Sequence, residues 1–226
     1  LLTGISLVGA FLLQETLPVK ERTQSSTIQT ILGLRKVAKN PNFSSLLLVG
    51  ALIAAPFMAY LALASYIYID GFGVSETTFS MYFASNAATS ILGPVMYMRF
   101  GAGSVKKVIN VGIIVAIISA ILILTVGNAS PIIFLLSYVL YSIMTSYFRP
   151  LISDLLLSAT KTDVGATSSV MNFVFTVIGS IGMVVGSLQW SSYTGGLGIT
   201  MLVFIALTTI VWLYLLKARS IQFDWK

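Results

Sequence analysis

The sequence predicts an all-α protein that crosses the membrane several times, and three observations carry that prediction. The 226 residues are 57% hydrophobic and only 9% charged, with a mean hydropathy of +0.95. A surface that faces water needs about a quarter of its residues charged, so lipid must be the solvent for much of this one. The apolar residues also fall in runs of about 20, the length a helix needs to cross the hydrocarbon core. Finally, no segment alternates over the roughly 10 residues of a membrane strand, which removes a barrel.

The runs place spanning helices at residues 43–69, 77–98, 105–126, 131–158, 164–188 and 197–216. Residues 1–13 read as the end of a further, truncated membrane helix. Residues 14–42 read as a cytoplasmic connection, 43–217 as a six-helix transmembrane bundle and 218–226 as a cytoplasmic tail. Within the connection, Ile28, Ile31 and Leu32 share a side ahead of Arg35, Lys36 and Lys39. That pattern fits a short helix lying on the membrane surface, acting as a plain linker or as a lipid sensor.

Charge tests the layout. All of the 13 Lys and Arg residues except Arg149 lie at alternate connections: before residue 43, at 99–107, at Lys161 and after residue 216. The intervening connections, 70–76, 127–130 and 189–196, carry none. This is the positive-inside pattern, and it puts both ends of the chain in the cytoplasm of a cell whose plasma (inner) membrane the chain spans. It also accounts for the net charge of +6 without nucleic acid. Trp190 and Tyr193 are expected at the outer headgroup level, Trp212 and Tyr214 at the inner one.

The chain has no Cys and no His. Disulfides, thiolate or imidazole metal sites and Ser-His or Cys-His nucleophiles are therefore excluded. The seven acidic residues all fall towards the ends of spans or outside them, so two facing intramembrane carboxylates are missing as well. No enzymatic activity, cofactor or metal is expected.

Polar residues inside spans are costly in lipid, so their placement is informative. Tyr138, Tyr141, Ser142, Thr145 and Arg149 recur at steps of three or four and share one helix face. So do Ser168, Asn172, Phe175, Thr176, Gly179, Gly182 and Gly186, the last two spaced for close backbone approach. Tyr82, Asn86, Thr89, Ser90, Gly93 and Tyr97 form a third face. Each face suits either a water-accessible cavity or a helix–helix contact. Arg149 lies near the cytoplasmic end of its span, where it either snorkels to headgroups or meets an acid, and Asp154 is poorly aimed at it from five positions on. Pro56 and Pro94 are expected to kink their helices.

Several segments resemble the second half of a twelve-helix major facilitator superfamily transporter, and within it the Bcr/CflA group of drug:proton antiporters. Gln14-Glu15-Thr16-Leu17-Pro18 looks like the group's close of the sixth helix, and Tyr68-Ile69-Asp70-Gly71-Phe72-Gly73-Val74-Ser75 like its first outer loop of that half. Arg99, Gly101, Lys106 and Lys107 resemble the degenerate second copy of the superfamily's basic inner-loop motif, with Tyr97 where the first copy carries an Asp. Val164-Gly165-Ala166-Thr167-Ser168-Ser169 looks like the start of the eleventh helix.

The resemblance implies a six-helix bundle that follows the tail of a sixth helix, in a protein of paired six-helix halves. It also implies proton-coupled export of drugs or other small amphipathic or cationic compounds by alternating access, a function of multidrug efflux and antibiotic resistance. Partners would be a small-molecule substrate, protons, membrane lipids and the missing N-terminal half, which would hold the coupling acids. The candidate cavity wall is Tyr60, Tyr66, Asn86, Tyr138, Tyr141, Ser142, Asn172 and Phe175, with Gly179, Gly182 and Gly186 for helix packing. A metabolite or sugar carrier of the same fold, and a scaffold or inert truncated product, are the alternatives.

Overall fold

The computed structural model describes residues 39, 41–101, 103–159 and 164–218. The chain divides into two compact units, Leu1–Leu32 and Gly33–Lys226, and every described residue belongs to the second. The truncated helix at 1–13, the surface helix of the 14–42 connection, Lys161 and the tail beyond residue 218 lie outside the described residues.

Seven α-helices make up the described part: α1 (Pro41–Ser65), α2 (Glu76–Ser90), α3 (Leu92–Phe100), α4 (Val105–Thr125), α5 (Pro131–Ala159), α6 (Val164–Gly186) and α7 (Tyr193–Ala218). A π-helical turn, Tyr66–Gly71, extends α1. Five segments are long and apolar enough to cross a membrane: Phe43–Gly71, Val105–Thr125, Pro131–Ser158, Val164–Gly186 and Tyr193–Lys217.

The span expected at 77–98 is divided into α2 and α3, with a break at Ile91. Proline explains the position. Pro94 has no N–H to give the Ser90 carbonyl, and its ring crowds that same oxygen. The helix therefore breaks one turn before the proline, and Val95 N closes onto Ile91 O at 3.3 Å to start α3. Upstream, Ser75 caps α2 by accepting from Thr78 N at 3.2 Å. Downstream, α3 ends at Gly101, whose φ of +65° and ψ of −163° suit only glycine.

Helix α1 is central and packs on α5, α6 and α7, while α4 sits against α5 and α7. Helices α2 and α3 lean on α5. The closest approach is α1 to α6, where small residues meet. A Cβ on Gly182 would collide with the Ala55 carbonyl, and one on Gly186 would lie 3.0 Å from Ala59 Cβ. Side chains of α4 at Val111, Ile114, Ile118 and Ile121 are exposed and wholly aliphatic, the face that lipid covers.

Two polar side chains of α4 bond to neighbouring helices, one buried and one exposed. Ser119 Oγ donates to Ser137 O at 2.6 Å, and Asn110 Oδ1 accepts from Trp212 Nε1 at 2.8 Å. The second bond involves an aromatic residue expected at the inner headgroup level. Trp212 is only 1% exposed and serves as a packing residue between α7 and α4, while Tyr214 is 70% exposed. At the opposite end, Thr194 Oγ1 donates to Asn128 Oδ1 and ties the 127–130 turn to the start of α7.

Candidate substrate cavity

The turns at 71–75 and 187–192 lie at one end of the bundle; Arg99, Lys106 and Lys107 mark the other, basic end. Towards the basic end, α1, α5 and α6 enclose a cavity of about 320 Å³. Small residues create the space: Gly50 and Ala54 on α1, Ser146 and Ser153 on α5, Gly179 and Ser180 on α6. Phe57, Met58, Phe175 and Met183 give it apolar wall, while Asn172, Thr176 and Arg149 supply polar groups. Arg149, Asn172 and Thr176 are exposed, so the cavity is open.

Pro150 lies inside α5 and, lacking an N–H, gives none to the Ser146 carbonyl one turn back. None of the cavity-lining residues is a carboxylate. Among the described residues Arg149 forms no ion pair, and Asp154 instead accepts from Tyr97 Oη at 3.0 Å.

The structure distributes the expected cavity residues over three places. Asn172 and Phe175 line the cavity. Tyr60, Tyr138, Tyr141, Ser142 and Asn86 are buried in the bundle. Tyr60 stacks on Tyr138 with ring centroids 4.0 Å apart, and Tyr141 Oη donates to the Ile53 carbonyl. The hydroxyls of Tyr60, Tyr138 and Ser142 and the Asn86 Oδ1 have no hydrogen-bond partner. Tyr66 is apart from both groups, 49% exposed beside Tyr193 at 5.6 Å.

The three glycines lie along α1: Gly179 against Met58, Gly182 against Ala55 and Gly186 against Ala59. Arg99, Gly101, Lys106 and Lys107 lie together around the α3–α4 connection, all exposed, with the Gly101 carbonyl accepting from Tyr147 Oη at 2.7 Å. Sequence reasoning passed over Ser146, Ser153 and Ser180. The readable signal was the spacing of Ser146, Arg149 and Ser153 along one face, with Pro150 inside it.

These features define the chain as an all-α, polytopic membrane protein with an open, largely apolar cavity between helices that carries a few polar groups. No protein-family model matches it. The chain is similar to the uncharacterized MFS-type transporter YdgK of Bacillus subtilis (strain 168), 31% identical over 121 residues. The match takes in 53% of this chain and 30% of that relative's length. The likeness is to an MFS-type transporter over part of each chain, and it does not extend to the Bcr/CflA group or to a substrate.

Proposed function

We propose that this chain forms the C-terminal half of a proton-coupled exporter of drugs and other small amphipathic compounds, working by alternating access. The observation that carries the reading is the cavity between α1, α5 and α6, open in one half of the bundle and closed off in the other. A site with apolar wall and a few hydroxyl, amide and guanidinium groups suits an amphipathic solute. The helix break at Ile91 fits a transporter, where irregular backbone is tolerated when it is buried in protein or lines a cavity.

In this reading residues 1–13 end a sixth helix, 14–42 connect two halves and 43–217 build the second, with both ends cytoplasmic. Asn172 and Phe175 contact substrate directly. The buried tyrosines and Asn86 join the cavity when the opposite half opens. The cavity holds no carboxylate, so proton coupling falls to acids of the N-terminal half.

Accumulation of a fluorescent amphipathic dye by cells tests this. Cells expressing the full-length protein should hold less dye than cells lacking its gene, and a protonophore should abolish the difference. Equal accumulation with and without the gene overturns export.

A further inference from the structure

Consecutive helices α3 and α4 both lean on α5 but have little contact with each other. The break at Ile91 and the Gly101 turn set them apart, and a groove of about 420 Å³ runs between them at the basic end. Met96 and Phe100 of α3 form one wall, Val111 and Val115 of α4 the other, and Leu140 and Ile143 of α5 the floor. The groove opens onto the aliphatic face of α4: Phe100 is 68% exposed and Val111 55%.

Two polar side chains reach this groove. Tyr147 has already given its hydroxyl to the Gly101 carbonyl. The other is Lys107, exposed, with Lys106 and Arg99 its exposed neighbours at the α3–α4 connection. None of these three forms an ion pair among the described residues. Water has no partners along such walls, and an empty slot would forfeit dispersion contacts on every side.

We propose that the groove seats an acyl chain of an anionic phospholipid from the leaflet at the basic end, with the headgroup phosphate on the Lys107 ammonium. An apolar slot that ends at unpaired cations matches the two ends of such a lipid. Basic pockets between membrane helices on the positive side recognise anionic headgroups by the same charge complementarity. The lipid wedges between α3 and α4 and keeps α3 turned away at the Ile91 break. The groove shares only Phe148 with the cavity and does not depend on the transport reading.

The test uses the full-length protein in nanodiscs of mixed phosphatidylcholine and phosphatidylglycerol, extracted into mild detergent, with retained lipid counted by mass spectrometry. Phosphatidylglycerol should be retained over phosphatidylcholine by about fivefold, the preference one basic residue confers near a charged surface. Lys107→Gln should erase the preference and Lys107→Arg should keep it. Val111→Trp, which fills the groove, should expel the lipid, whereas Ile118→Trp, on the same face beyond the groove, should not. Equal retention of the two lipids by the parent, an undiminished preference in Lys107→Gln, or equal losses in the two tryptophan variants overturns the proposal. The two lysine variants carry the test alone if Val111→Trp does not fold.

Discussion

At one end of the bundle rings pack α1 against α5, while towards the other the two helices touch at Gly50 and Ile152 and a cavity opens beside them against α6. Away from the basic end, rings fill the space between α1, α2 and α5. Tyr60 stacks on Tyr138 at 4.0 Å, Tyr68 on Tyr82 at 5.1 Å, and Phe134 meets Tyr68 edge-on at 5.4 Å. Towards the basic end glycine, alanine and serine stand between the remaining rings, Phe57, Phe148 and Phe175, and the cavity opens among them. Side-chain size along two helices therefore decides where the bundle is closed. It also decides polarity, because the small residues on the open side are largely Ser and Thr; the hydroxyls of Thr176 and Ser180 return to the helix backbone, Ser180 Oγ to Thr176 O at 2.8 Å.

The largest expected effect lies where the open half gives way to the closed one, at the contact of α6 with α1. A Cβ on Gly182 would collide with the Ala55 carbonyl carbon and oxygen, backbone that cannot rotate aside. Gly182→Leu should cost more than about 3 kcal/mol, the upper end of ordinary overpacking, and empty the folded peak in detergent size-exclusion chromatography. A folded variant with an unchanged melting midpoint would show that the two helices are free to separate there.

Next in size is the closed half itself. Tyr60 is fully buried and its ring touches Phe83, Phe134 and Tyr138. Tyr60→Ala should cost about 3 kcal/mol, as aromatic truncations in packed interiors do, and lower the thermal midpoint accordingly. Asn172→Ala, on the open cavity wall, should leave the midpoint within the range of surface substitutions, about 0.5 kcal/mol. Similar losses in both would erase the distinction between a packed half and an open one.

The spans were legible because hydropathy and length are the property that lipid selects. The described helices begin and end close to the expected residues, and π-helical Tyr66–Gly71 lies within two residues of the expected end of the first span. The division at Ile91 was readable only in part. Pro94 signals a disturbance, but whether a membrane helix bends or breaks depends on its neighbours, here α5 meeting Gly93 so closely that a Cβ would sit 2.5 Å from Tyr147 N. Trp212 shows the limit of reading aromatics from sequence, since its ring is buried between helices and its indole N–H is bonded to Asn110 of α4. The tyrosine stripe of α5 marked a face turned away from lipid, yet polarity cannot say whether such a face meets a cavity or other rings. The structure does both with it: Tyr138 is packed among rings, while Arg149 stands on the cavity wall.

The smallest effect is the most discriminating. Tyr138 and Tyr141 lie on the same face of α5 and both are fully buried. Tyr141 Oη donates to the Ile53 carbonyl, in the turn of α1 that Pro56 disturbs. Tyr138 Oη has no partner. A buried hydroxyl without a hydrogen bond has lost water and gained nothing, a penalty of about 1–3 kcal/mol. Removing the oxygen from Tyr141 should therefore lower stability by about 1 kcal/mol, the net worth of an ordinary hydrogen bond. Removing it from Tyr138 should leave stability unchanged or raise it. If the closed half opens during a transport cycle, the Tyr138 hydroxyl meets water or substrate in that other arrangement, and Tyr138→Phe should slow dye efflux while its melting midpoint holds or climbs. Thermal midpoints and efflux rates of the two variants decide the matter together. A Tyr138→Phe protein that melts lower and pumps normally would mean that the hydroxyl has a partner in this state, and that the closed half is packing and nothing more.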